Sequence, residues 1–145
     1  MRLIQVSVRP RVSLFAFIAG YAVFTMVTFQ GPLLAYALPV IDLGAGHGWV
    51  ELASLQVVQF ALMVIVLGSL SLLPVSMFKA VCIALLIGNA AAVYFMAAYN
   101  VELDRTMIGN ILNTDQREVI QLWNPRLLGQ VGMWAVLPGV VILWL

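Results

Sequence analysis

Asn110, Thr114 and Glu118 stand four residues apart in "TMIGNILNTDQREV", residues 106–119. On a continuous helix, residues at that spacing are neighbours on one face. An amide, a hydroxyl and a carboxylate in a row offer both donors and acceptors. Such a set suits a zwitterionic head group. Glu118 would hold an ammonium by a charge-assisted bond, while Asn110 and Thr114 donate to phosphate or ester oxygens. A second reading uses the same residues. Asp115–Gln116–Arg117–Glu118 has the spacing of a capping box, with Asp115 as N-cap and Glu118 at the third helical position. Glu118 then only satisfies a backbone amide, and the segment forms two short helices with a solvated polar face. The residues alone leave both readings open.

The rest of the chain is almost devoid of such chemistry. Of its 145 residues 63% are hydrophobic and only 9% charged, against about 25% charged in ordinary soluble domains. A spanning helix needs about 20 predominantly apolar residues. Four such runs are present, at 12–30, 52–74, 80–99 and 126–145. The expected fold is all-α and integral to the membrane, one domain over 1–145. It has four transmembrane helices and two interfacial segments, 31–50 and 100–125. In the second segment Leu103, Met107, Ile108, Ile111 and Leu112, then Val119, Leu122 and Trp123, recur at three- and four-residue steps. That pattern describes helices lying in the interface, apolar side down. In the first, Pro32, Pro39 and "GAGHG" at 44–48 break regular helix. "GAGHG" lacks the lysine and strand–helix context of a phosphate loop, so a flexible loop is expected there. "VSMFK", 75–79, reads as a short turn between the second and third spans.

Charge placement orients the chain. With Arg2, Arg9, Arg11 and Lys79 on the cytoplasmic side, all six acids lie outside together with Arg105, Arg117 and Arg126. Both termini are then cytoplasmic. Arg9, Arg11, an apolar stretch and "AYA" at 35–37 also resemble a signal peptide, but the stretch exceeds the usual ~7–15 residues of such a core. A net charge of +1 gives no basic surface for nucleic acid. Cys82 is the only cysteine, and its place within a span suits packing.

Apart from Arg126 at the outer edge of the fourth, no Asp, Glu, Lys or Arg occurs within the spans, which disfavours a transporter with a proton relay. Asn89 is expected to bond to a neighbouring helix. Gln56 and Gln59 are expected to meet either a neighbouring helix or the outer polar segment. Ala16/Gly20 and Gly88/Ala92 are small pairs that would allow close helix approach. His47 is the sole histidine. The sequence holds no Cys/His/Asp/Glu cluster with metal spacing and no nucleophile–base pair for His47 to complete.

The stretch "YNVELDRTMIGNILNTDQREVIQLWNPRLL", 99–128, resembles the segment after the third transmembrane helix in lipid phosphoethanolamine transferases, including the lipid A and mobile colistin-resistance enzymes. The shared pattern D-x-T-M-x-x-N-x-x-x-T-x-x-x-E is met by Asp104, Thr106, Met107, Asn110, Thr114 and Glu118. The resemblance implies that Asn110, Thr114 and Glu118 bind the phosphoethanolamine head group. It implies transfer from phosphatidylethanolamine to lipid A in a bacterial inner membrane, and lowered affinity for cationic polymyxins. It also implies a fifth helix and a periplasmic domain of alkaline-phosphatase-like fold, carrying zinc ligands and a threonine nucleophile. The chain is therefore expected to be a fragment that anchors the enzyme and shapes its donor-lipid site, inactive alone, with no cofactor of its own. The alternative is a self-contained four-helix membrane protein with a structural or accessory role.

Overall fold

A computed structural model describes residues 12–99 and 125–145. Among these residues the regular structure is all helical, with no strand. Five helices follow in order: α1 Leu14–Phe29, α2 Gly31–Ala37, α3 Gly46–Leu70, α4 Val75–Tyr99 and α5 Pro125–Trp144. α3, α4 and α5 are each long and apolar enough to cross a membrane, and α1 with α2 forms a fourth candidate span bent by 61°.

The sequence sets each break. Ser13, in extended backbone, caps α1 by accepting the Ala16 amide at 3.2 Å. α1 stops at Gln30 because Pro32 has no amide to give to the Thr28 carbonyl and its ring crowds that oxygen. The chain restarts as α2 with proline in its first turn. The expected flexible loop at "GAGHG" is instead a bonded turn. The Asp42 carboxylate accepts from Gly44 N at 2.9 Å, Asp42 O from Ala45 N at 3.2 Å, and Ala45 O from Gly48 N at 3.0 Å. α3 therefore begins at Gly46, six residues before the apolar run. "VSMFK" is likewise not a turn but the first turn of α4, with Phe78 N bonded to Pro74 O at 2.9 Å. The reversal between α3 and α4 falls on residues 71–74. Proline at 74 disfavours helix for the residue before it and suits the start of the helix after it.

α5 is interrupted by a five-residue π turn, Gly132–Val136, where Leu137 N bonds back to Gly132 O. Pro138 follows at the first turn of the resumed α-helix. Proline removes one amide from the ladder, a known cause of such local widening.

Side-chain pairs give the helix directions. Phe17 packs edge-on against Phe78 with ring centroids 5.7 Å apart, and Tyr21 donates its hydroxyl to Cys82 O at 2.8 Å. α1 and α4 are therefore parallel. Gln130 reaches Ala90 O at 3.5 Å and Gly139 lies against Ile83, so α5 runs antiparallel to α4. α3 returns antiparallel to both. The core follows one stripe of α4, Phe78, Cys82, Leu86 and Ala90, against Ile18 and Tyr21 of α1 and Ala135 and Ile142 of α5. Four-residue spacing keeps that stripe on one face. α3 joins through Leu67 and leans on α1.

Two expectations about packing are corrected. Gly20 and Gly88 do not sit in close crossings, since a Cβ at either would meet nothing within 4 Å. The tight contacts use Ala22, Ala90 and Ala135, all fully buried. The interhelical bond expected of Asn89 is carried instead by Tyr21 and Gln130. Without a hydrophobic force between helices in lipid, such bonds and close packing do the holding, each bond contributing roughly 1 kcal/mol.

Candidate functional site

The helix directions sort the polar groups between two ends. Ser13, residues 71–74, Lys79 and Leu145 share one end. Gln30, α2, the Asp42 turn, Tyr99 and Pro125 share the other. Asn110, Thr114 and Glu118 lie outside the described residues, as do Asp104, Thr106 and Met107 of the shared pattern. The connection carrying them leaves from Tyr99 and rejoins at Pro125, so both of its attachments are at the α2 end.

That end is built as a shelf. The 61° bend turns α2 away from α1 and brings it against α4. The Asp42 turn packs on the start of α3, where Gly48 is buried against the Asp42–Leu43 peptide. Trp49 is exposed on the same turn of helix, as expected of an aromatic anchor near head groups. Asp42, Glu51 and Arg126 are also exposed at this end.

Two amides stand out there. The side-chain oxygens of Gln30 and Gln59 are both buried, and neither has a hydrogen-bond partner among the described residues. Gln30 is twelve residues beyond Ile18 on α1, and Gln59 is eight before Leu67 on the antiparallel α3. Both therefore lie toward the α2 end from the core. Buried carbonyl oxygens without donors are uncommon and costly in an apolar medium. They are acceptors only, suited to an N–H or O–H donor. Gln59 was visible in the sequence as a polar residue within a span. Gln30 was not singled out, although a polar residue directly before Gly–Pro in an apolar run is itself a signal. Irregular backbone at membrane depth is tolerated where it is buried in protein or lines a cavity.

No group of three or more His, Cys, Asp and Glu that could hold a metal forms among the described residues. These residues do not fit a zinc ion.

The profile of the phosphoethanolamine transferase EptA/EptB family matches residues 51–145. The chain belongs to this family. Its relatives include phosphoethanolamine transferase EptA of Escherichia coli strain K12, 31% identical over 137 residues, which are 94% of this chain and 25% of that protein. EptA of Helicobacter pylori is 36% identical over 95 residues, covering 60% of this chain and 18% of that protein. EptA of Salmonella typhimurium is 27% identical over 136 residues, covering 94% and 24%. The chain thus spans about a quarter of the length of the curated relatives it matches, and corresponds to the N-terminal membrane region of EptA. No solved structure matches it.

Proposed function

We propose that this phosphoethanolamine transferase domain anchors the enzyme in the bacterial inner membrane and binds the donor lipid, phosphatidylethanolamine, for transfer of its head group to lipid A. The match across 94% of the chain to EptA carries this reading. Asn110, Thr114 and Glu118 form the head-group ladder, Glu118 taking the ammonium and the other two the phosphate. The shelf made by α2 and the Asp42 turn supports it, because the segment bearing the ladder is tied to that end at both attachments. In the whole enzyme a threonine outside this chain takes the group first and passes it on, a covalent two-step route. Zinc belongs with that threonine. Added phosphoethanolamine lowers the negative charge of lipid A and so its attraction for polymyxins.

Lipid A from cells lacking endogenous transferases tests the reading by mass spectrometry. Expression of the full-length parent should add a phosphoethanolamine-sized mass and raise polymyxin resistance. These 145 residues expressed alone should add none, because the chain spans a quarter of the relatives' length. A mass gain from the chain alone would overturn the division of labour.

Orientation is testable separately. Both ends of the chain are proposed to face the cytoplasm, from Arg2, Arg9 and Arg11 before α1 and Lys79 near the α3–α4 reversal. With Cys82 replaced by alanine, single cysteines are placed at Ser7, Ser76 and Asn113. An impermeant thiol reagent applied from the periplasm should label only position 113. Labelling at 76 would reverse the map.

A further inference from the structure

The side of the bundle between α1 and α5 carries a second feature. An apolar groove of about 540 Å³ runs between α1 and α5, floored by Gly20, Leu86 and Ile142 and walled by Phe24 and Trp134. A second hollow of about 320 Å³ lies at the Lys79 end, between Val12, Ser71, Phe78 and Lys79. The two share Val12, Phe17 and Leu145, so they adjoin each other. The larger hollow is apolar, and Lys79 is the cation among the described residues that lines the smaller one. Asp42 and Glu51, the described acids, are at the opposite end of the bundle, so Lys79 faces no carboxylate from them.

Length and lining suit a lipid chain. From Val12 to Phe24 the groove follows α1 for roughly 18 Å at 1.5 Å per residue. One leaflet of a bilayer is about 15 Å of hydrocarbon. The groove is apolar along that length and matches the reach of an acyl chain. At the smaller hollow the first amides of α4 lie beside Lys79, and helix N-termini favour negative charge. Basic recesses between transmembrane helices are places where anionic lipid head groups settle.

We propose that the two adjoining hollows between α1, α5 and the start of α4 are a site for an anionic phospholipid. One acyl chain lies in the groove past Gly20, and the head-group phosphate sits on Lys79. The site is at the end opposite the attachments at Tyr99 and Pro125 and depends neither on the proposed ladder nor on which way the protein faces.

Native mass spectrometry of the purified chain tests it, with phosphatidylglycerol and phosphatidylcholine of identical acyl chains offered together. The wild type should retain one phosphatidylglycerol in preference by about fivefold, the effect of one lysine near a membrane surface. Lys79→Gln should erase the preference. Gly20→Leu should reduce retention of both lipids, because a side chain there projects into open groove and meets nothing within 4 Å of its Cβ. That substitution also raises helix propensity, and unchanged helix content by circular dichroism confirms the fold. Glycerol phosphate, which has no acyl chain, should not bind. Equal retention of the two lipids by the wild type would overturn the proposal, as would selectivity that survives Lys79→Gln. Binding of glycerol phosphate alone would reduce the site to an anion site. A dimer that dissociates on Gly20→Leu would assign the groove to a second copy instead.

Discussion

Glu118→Gln in the full-length parent should lower phosphoethanolamine transfer by about 10- to 150-fold. A hydrogen bond to a charged group contributes about 1.5–3 kcal/mol, and removing the carboxylate charge forfeits it while keeping the shape. The substitution separates the two roles that the sequence allows. Glutamine also serves at the third helical position of a capping box, so a Glu118 that only caps should tolerate it with little loss. Asp115→Ala is the reverse control. It should cost ~1 kcal/mol of stability as a lost cap and leave transfer per folded molecule unchanged. Transfer rates are read by mass spectrometry of lipid A, with expression level and melting temperature followed for each variant. Normal transfer by Glu118→Gln, with impaired folding of Asp115→Ala, would make the capping box the better account of this segment.

Gly48→Ala should destabilise the domain by about 1–3 kcal/mol, the range for forcing atoms into a filled space. Alanine is ordinarily the better helix former by about 1 kcal/mol, so the sign is itself informative. A Cβ at Gly48 would fall on the Asp42 carbonyl oxygen and crowd the Leu43 amide. Those are backbone atoms held by the Asp42 turn, and they cannot swing aside as a flexible side chain would. Gly68→Ala, on the same helix, meets nothing within 4 Å and should be neutral or slightly stabilising. Thermal unfolding in detergent, followed by helix circular dichroism, measures both. Equal melting of the two variants would show that the turn gives way freely.

The spans were legible because lipid demands long apolar runs, and the chain has few other places to put its charges. The family pattern was legible for a different reason: its residues keep fixed spacing in one short segment. Helix limits were less so. Composition marks where the hydrocarbon begins, but backbone hydrogen bonds mark where a helix begins, and both Gly46 and Val75 start helices several residues outside the apolar runs. The packing face was the least legible. Ala16, Gly20, Gly88 and Ala92 looked like contact surfaces because of their spacing, yet Gly20 lines an open groove. Spacing names a face without naming its neighbour. The same limit hid Tyr21, whose bond to Cys82 O joins residues 61 positions apart, and the shared burial of Gln30 and Gln59 on two different helices. The ladder itself lies outside the described residues, so its place in the site rests on the family pattern and the attachments at Tyr99 and Pro125.

The π turn of α5 sets the rotational phase of that helix. Gln130 and Ile142 both face the α4 side, one before the wide turn and one after it. They are twelve residues apart, and at roughly 100° per residue an unbroken α-helix would leave them roughly 120° out of phase. One would turn to the lipid. A single-turn π bulge absorbs about one residue's rotation, which brings the two back to within roughly 20° of each other. Loss of one residue within 132–136 would therefore leave a plain α-helix with both contacts still aimed at α4. Loss of one residue elsewhere between Gln130 and Ile142 would keep both contacts only if the wide turn tightened to compensate. The bulge makes this span able to change its length by one residue without changing its neighbours.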